Sequence, residues 1–390
     1  MTEWKEYKLG EIAEIVGGGT PDTSNKEYWG GNIPWLTPKD LTGYNKIFIS
    51  SGERFITEEG LDNSSTKLLP QGTVLLSSRA PIGYVAIASN PICTNQGFKS
   101  IICNKDIVDN LYMYYWIKNN TELLQSLGTG TTFAEISGSV VKSIDISLPP
   151  LPEQIRIASI LSSLDDKIDL LHRENKTLEA MAETLFRQWF IEEAKEDWEE
   201  NPLGKCIKLV GGGTPKTSEE MFWNGNVFWL SGGDIANNHK SFVSSSEKSI
   251  SEDGLNNSSA KLLPENAMVI SARGTVGKYC LLSKPMAFSQ SNYGILPIYN
   301  DCYFFTYLLV AYHIDELQSA AYGSVFDTIT TKTFEGVSVL IPKETSYIVE
   351  FEKMIDPYFS KMKQNNKQIQ TLIQQRDSLL PKLMSGEVKI

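Results

Sequence analysis

Metal and redox chemistry find little to work with in this sequence. Its 390 residues include only three histidines, His172, His239 and His313, scattered along the chain. The five cysteines (Cys93, Cys103, Cys206, Cys280 and Cys302) form no C-x-x-C pair and are odd in number. Reduced structural thiols are therefore expected, rather than a disulfide framework or a zinc site. No stretch approaches the roughly 18 consecutive apolar residues of a membrane span. The N-terminus, MTEWKEYKLGEI, lacks the apolar core of a signal peptide, and a cytoplasmic address is expected.

Catalytic signatures are missing too. GTVGKY at 274–279 has neither the spacing nor the Ser/Thr of a phosphate loop, and GGGTP leads into a polar loop and Trp, not a dinucleotide-binding helix. No H-E-x-x-H, G-x-S-x-G or N-P-P-[YF] occurs. The absence of motifs points away from an enzyme.

Positive charge is also short, with 36 basic against 47 acidic residues and a net charge of −11. The excess is localised. Residues 153–200 carry 6 basic and 13 acidic residues, whereas 1–152 carry 12 and 16, 201–342 carry 10 and 12, and 343–390 carry 8 and 6. Charge alone would hold a polyanion weakly, so a basic partner would have to supply counterion release.

What the sequence does contain is itself, twice. GGGTPDTSNKEYWGGNIPWLTPKDL (17–41) matches GGGTPKTSEEMFWNGNVFWLSGGDI (211–235) at 13 of 25 positions, with a constant offset of 194. ERFITEEGLDNSSTKLLPQGTVLLSSRAPIGYV (53–85) matches EKSISEDGLNNSSAKLLPENAMVISARGTVGKY (247–279) at 15 of 33, without a gap. The pairing continues through Gly130/Gly323, Phe133/Phe326 and Pro149/Pro342. Each copy mixes short β-rich runs (TVLLSS, VAIAS, MVISA, KYCLLS) with one helix-like stretch, near 107–120 and 303–318. A compact α+β domain of about 140 residues follows, built twice.

A different kind of sequence follows each copy. LPPLPEQ (148–154) places prolines at a helix start, and 155–190 then runs without Gly or Pro. Leu164, Ile168, Leu171, Leu178, Ala182 and Leu185 keep a 4-3 spacing with Asn175 in the seam. Ile355, Phe359, Met362, Ile369 and Ile373 repeat it with Asn366. Such spacing predicts a coiled-coil seam, and a seam asparagine sets register at a cost in stability. Antiparallel pairing would bring Asn175 and Asn366 face to face; the alternative is two helices packed separately on their own domains. Pro357 predicts a kink that weakens the pairing near the start of the second helix.

GGGTP…W…G-N-[IV]-x-W…D, then S-x-R-x-x-x-G, then LPPLPEQ opening a long helix, and finally RDSLLPKLMSGEV (376–388), resemble the specificity subunits of type I restriction–modification enzymes over nearly the whole chain. The resemblance implies an α+β fold: two tandem, similar α/β target recognition domains (1–149 and 197–342), separated by two long spacer helices (150–196 and 343–390) that form an antiparallel coiled coil. It implies a non-catalytic subunit that reads a split, asymmetric target in double-stranded DNA and docks DNA methyltransferase subunits, two of them, and restriction/motor subunits. S-adenosylmethionine, ATP and Mg²⁺ would belong to those partners, with no cofactor and no metal in this chain. A helix of about 30 residues is roughly 45 Å long, enough to hold two readers about one DNA turn of 34–36 Å apart. A non-DNA-binding assembly scaffold and an enzyme with an unrecognised site are the competing readings.

Candidate DNA contacts lie in the polar, glycine-permissive loops. Gly18, Gly19, Thr20 and Thr23, with Gly212, Gly213, Thr214 and Thr217, offer backbone amides and hydroxyls; the alternative is a glycine turn packing the following Trp. Arg79 and Arg273 match, and arginine suits guanine or phosphate; the alternative is a structural salt bridge. Ser78, facing Ala272 in the other copy, and Lys39, facing Gly233, differ as specificity positions would. The shared Asp40 and Asp234 are expected to cap local structure. Gln96 and Gln290 suit adenine, or serve as buried amides within a sheet. Thr131, Thr132 and Ser324 complete the set. Trp29, Trp35, Trp223 and Trp229 are expected in the core. Trp189 and Phe190, ending the first helix, are expected as exposed partner-docking residues.

Overall fold

A computed structural model describes residues 4–79, 81–130, 134–322 and 327–390. The chain divides into two compact units, Met1–Asp169 with Thr371–Ile390, and Leu170–Gln370.

In the first unit, continuous apolar runs give strands buried on both faces, among them Val74–Leu76. A five-stranded sheet runs Ala13–Gly17, Lys99–Cys103, Val74–Leu76, Val85–Ala88, Phe48–Ile49. Beside it lies a three-stranded sheet of Arg54–Ile56, Trp29–Leu36 and Cys93–Thr94. A ribbon pairs Lys5–Lys8 with Asp145–Leu148. The helix Asn110–Asn119 is capped by the Asp109 carboxylate, which accepts from the amides of Leu111 and Tyr112 at 3.0 and 2.9 Å. Its tyrosines fill the core with Ile157, Leu161 and Leu383 of the long helices.

The second unit repeats this topology strand for strand. Its sheets run Ile207–Gly211, Asn292–Pro297, Met268–Ser271, Tyr279–Leu282, Phe242–Val243, and Lys248–Ile250, Trp223–Leu230, Ala287–Phe288. Register is preserved as well: Trp35 faces Cys93 across parallel strands, and Trp229 faces Ala287 at the same offset.

Two long helices, Leu151–Arg187 and Thr345–Met384, run on from the repeats. Within the second unit they pack antiparallel. Phe186 meets Phe351 at 6.1 Å, and further along Lys361 reaches Glu174 at 3.7 Å. The Asn175 amide donates to Asn366 at 2.8 Å, and Asn175 accepts from Asn365 at 2.8 Å. The seam positions Leu171, Ala182, Ile355, Phe359 and Met362 are buried. Within the first unit Arg376 donates to Asp165 at 2.6 Å, and Tyr115 donates to the other oxygen of that carboxylate at 2.7 Å.

One expectation is corrected. The second helix carries on through Pro357 without a break, and its apolar face there is buried. Pro357 faces solvent, while Phe351, Ile355 and Phe359 on the opposite side are fully buried, and Phe359 stacks on Phe304 at 4.4 Å. Packing on that face outweighs the single hydrogen bond a proline removes.

Candidate nucleic-acid interface

The glycine loops are frames for close packing. A Cβ on Gly18 would stand 2.0 Å from the Asn95 carbonyl, and one on Gly19 2.3 Å from the Ser65 hydroxyl. Gly212 and Gly213 meet Ser289 and Ser259 just as closely, at 2.1 and 2.2 Å. Side chains are thus excluded by sterics. The Gly19 amide donates to Thr94 O at 2.9 Å, and Gly19 O accepts from the Trp35 indole at 2.9 Å. In the other copy Gly213 donates to Phe288 O at 3.0 Å and accepts from Trp229 at 2.9 Å, while Gly212 donates to Asn292 O at 3.3 Å. The amides of Gly19, Gly212 and Gly213 are therefore spent inside the fold and not offered outward, which corrects that expectation. Trp35 and Trp229 are buried, each edge-on to its half-buried neighbour, Trp29 at 5.0 Å or Trp223 at 5.3 Å.

The same frame carries the remaining candidates. Thr20 donates its hydroxyl to Gln96, whose residue is exposed, as is Gln290. The next residue, Gly97, accepts the Ser78 amide at 2.7 Å; its counterpart Ser291 accepts the Ala272 amide at 3.0 Å. Ser78 and Ala272 are buried, at 0% and 3% exposure, so neither side chain reaches a ligand, another correction. Their backbones instead set the arginines that follow. Arg79 is half-buried, 3.9 Å from the Glu135 carboxylate, which Lys99 also holds at 3.1 Å. Arg273 is exposed and makes no ion pair among the described residues. The matched arginines thus differ in what they have to give. Lys39 pairs with Glu53 at 3.0 Å, both exposed. Asp40 and Asp234 accept local amides, Thr37 at 2.7 Å and Ser231 at 2.8 Å. Thr23 and Thr217 are exposed and Thr214 is half-buried. Thr131, Thr132 and Ser324 lie outside the described residues.

The type I restriction modification DNA specificity domain matches residues 1–180 and again 195–374. The MjaIX type I restriction enzyme specificity subunit of Methanocaldococcus jannaschii is 36% identical, the alignment covering 100% of this chain and 94% of that protein. The chain belongs to the type I restriction–modification specificity family. The HindI specificity subunit of Haemophilus influenzae is 24% identical over the whole of both chains. The fold is that of the type I S subunit from M. genitalium, with a TM-score of 0.63, 17% identity, and 97% of this chain and 96% of that one covered.

Trp189 and Phe190 are not the exposed docking residues expected of this specificity-family chain. They sit in one π-helical turn, Gln188–Glu192. Phe190 is 2% exposed against Phe305 and Phe351, at 4.8 and 4.9 Å, and half-buried Trp189 lies 5.0 Å from Tyr347. Packing takes the Phe190 ring out of water and covers part of the Trp189 ring.

Sequence reasoning missed three polar joints. Asn365 is fully buried and bonds Glu174 at 2.9 Å as well as Asn175; the adjacent Asn365-Asn366 pair was its only signal. Glu179 accepts from Tyr307 at 3.1 Å, and burial, with Glu183 close by, pushes its pKa up to about 7 against the pull of Lys240. Burial likewise pushes Glu352 to about 7, although it accepts the amides of Phe304 and Phe305 at 3.0 and 2.7 Å. No group of His, Cys, Asp and Glu among the described residues could hold a metal ion, all five cysteines are buried and free, and no described helix is long and apolar enough to cross a membrane.

Proposed function

We propose that this chain is the DNA-reading, non-catalytic subunit of a type I restriction–modification complex. Each repeat reads one half of a split, asymmetric target in double-stranded DNA, and the chain docks DNA methyltransferase and restriction/motor subunits. Those partners hold S-adenosylmethionine, ATP and Mg²⁺. The observation that carries the reading is the frame built twice. The same backbone bonds fix Gly19 and Gly213, Ser78 and Ala272, while the exposed residues between them differ, Lys39 against Gly233 and Lys26-Glu27 against Glu220-Met221. A fixed scaffold with divergent surface loops suits two readers of different base sequences.

Methylation mapping by single-molecule sequencing tests it, with the chain co-expressed with its methyltransferase subunit. The expected result is a split, asymmetric motif that vanishes when this chain is deleted. The net charge of −11 favours the scaffold reading; normal complex assembly without chain-dependent methylation or a DNA footprint would select it.

A further inference from the structure

We infer that Ser65 with Lys67, and their counterparts Ser259 with Lys261, are the phosphate anchors common to the two half-sites. The inference rests on the DNA-reading function proposed above. Two copies of a domain that read different base sequences still meet one common feature, the sugar–phosphate backbone, which carries no sequence information. Positions facing bases diverge between the copies; positions facing phosphate do not.

Many residues identical in the two copies have an internal role. The glycines pack against backbone, Trp35 and Trp229 bond Gly19 and Gly213, and Asp40 and Asp234 hold local amides. Asn63 and Asn257 donate to the carbonyls of Glu59 and Asp253 at 2.9 and 3.0 Å. N-S-S-x-K-L-L-P, at 63–70 and 257–264, is different at its centre. Ser65, Lys67, Ser259 and Lys261 are exposed, and their side chains make no hydrogen bond or ion pair among the described residues. In an acidic chain, a lysine kept twice at one position with no internal partner points outward to a negative ligand. The only other identical basic pair in the two ungapped blocks is Arg79/Arg273.

Geometry joins these residues to the frame. Gly19 packs on Ser65 and Thr66, and Gly213 on Ser259 and Ala260. Downstream, Leu69 and Leu263 are buried and pinned by bonds to Ile92 O and Met286 O, each at 2.9 Å. The serine and lysine are therefore presented from a span held at both ends, beside the loop that positions Gln96. A fixed hydroxyl and an ammonium two residues apart are donors suited to a phosphate.

Lys67→Ala, Lys261→Ala and the double variant test this in complex with the methyltransferase subunit. Binding is measured across a salt series, to a duplex carrying the mapped target and to one of unrelated sequence. Each single variant should bind both duplexes about five-fold more weakly near 0.15 M salt, with a log–log salt slope shallower by about 0.9. The double variant should show both effects twice, Lys→Arg should restore binding, and the methylated motif should stay the same. Melting temperatures should not move, since both side chains are exposed. Unchanged affinity and slope would overturn the inference. So would an altered motif, which would make the lysines base readers, or loss of the methyltransferase subunit at unchanged slope, which would make the segment a protein-docking face. A wild-type complex that binds neither duplex would instead overturn the DNA-reading function itself, before any variant is compared.

Discussion

Single residues in this chain divide by what their neighbours leave them free to do. Arg79 shares the Glu135 carboxylate with Lys99, whereas Arg273 has no such partner among the described residues. Arg273→Ala should therefore relax discrimination at one base position of its half-site or weaken binding, by about 1–3 kcal/mol if it is bidentate to guanine, read by binding to a set of singly substituted duplexes. Arg79→Ala should cost less, because Glu135 already offsets its charge. Glu179 behaves differently. Burial raises its pKa to about 7, above the ordinary value of 4.5, so the fold favours the neutral acid. That contribution is complete below the unfolded value and is lost as pH rises through about 7. Glu179→Gln, which keeps an acceptor for the Tyr307 hydroxyl, should raise the melting temperature at pH 8 and change it little at pH 5. A gain at pH 5 equal to that at pH 8 would show that ionisation is not the cause. Glu352, shifted the same way, should leave some pH dependence behind in the variant.

At the scale of elements, the seam of the two long helices depends on polar residues as well as apolar ones. Asn175 donates to Asn366 and accepts from Asn365, whose side chain is fully buried. Asn175→Ala would leave part of that buried amide unpaired, and should destabilise the second unit by about 1–3 kcal/mol in denaturant unfolding. Replacing Asn175, Asn365 and Asn366 together with leucine should recover stability while loosening register, seen as a mixture of helix pairings by disulfide trapping. A triple variant with single, native pairing would show that the apolar seam alone fixes register. Asn366 also donates to Ser241 at 2.9 Å, so the same cluster ties the second helix to its recognition domain.

For the whole molecule, the duplication predicts modularity. Replacing residues 211–342 with the second repeat of another specificity-family protein should change one half of the methylated motif and leave the other half intact. A change in both halves would mean that the repeats do not read independently. The incoming repeat has to supply the contacts that Ser241, Phe304, Phe305 and Tyr307 make to the long helices, and a single cooperative melt checks that the exchanged chain folds.

The amino-acid sequence by itself determined the duplication, the succession of repeat and long helix, and the apolar seam. Each rests on periodicity or on self-comparison, which a linear sequence carries in full. The sequence allowed the meeting of Asn175 with Asn366, which the tertiary structure selected over separately packed helices. It also placed Asp40 and Asp234, whose amide partners lie three residues away, and it assigned Trp35 and Trp229 to the core by their large apolar rings. Tertiary structure alone decided which candidates face solvent. Ser78 reads as a polar specificity position until the Gly97 carbonyl, 19 residues away, claims its backbone and the sheet closes over its hydroxyl. Trp189 and Phe190 read as exposed bulk until Phe305, Tyr347 and Phe351 are folded against them. Burial is set by contacts distant in the chain, and local pattern does not encode them; hence the frame could be read in the sequence and the surface of the site could not.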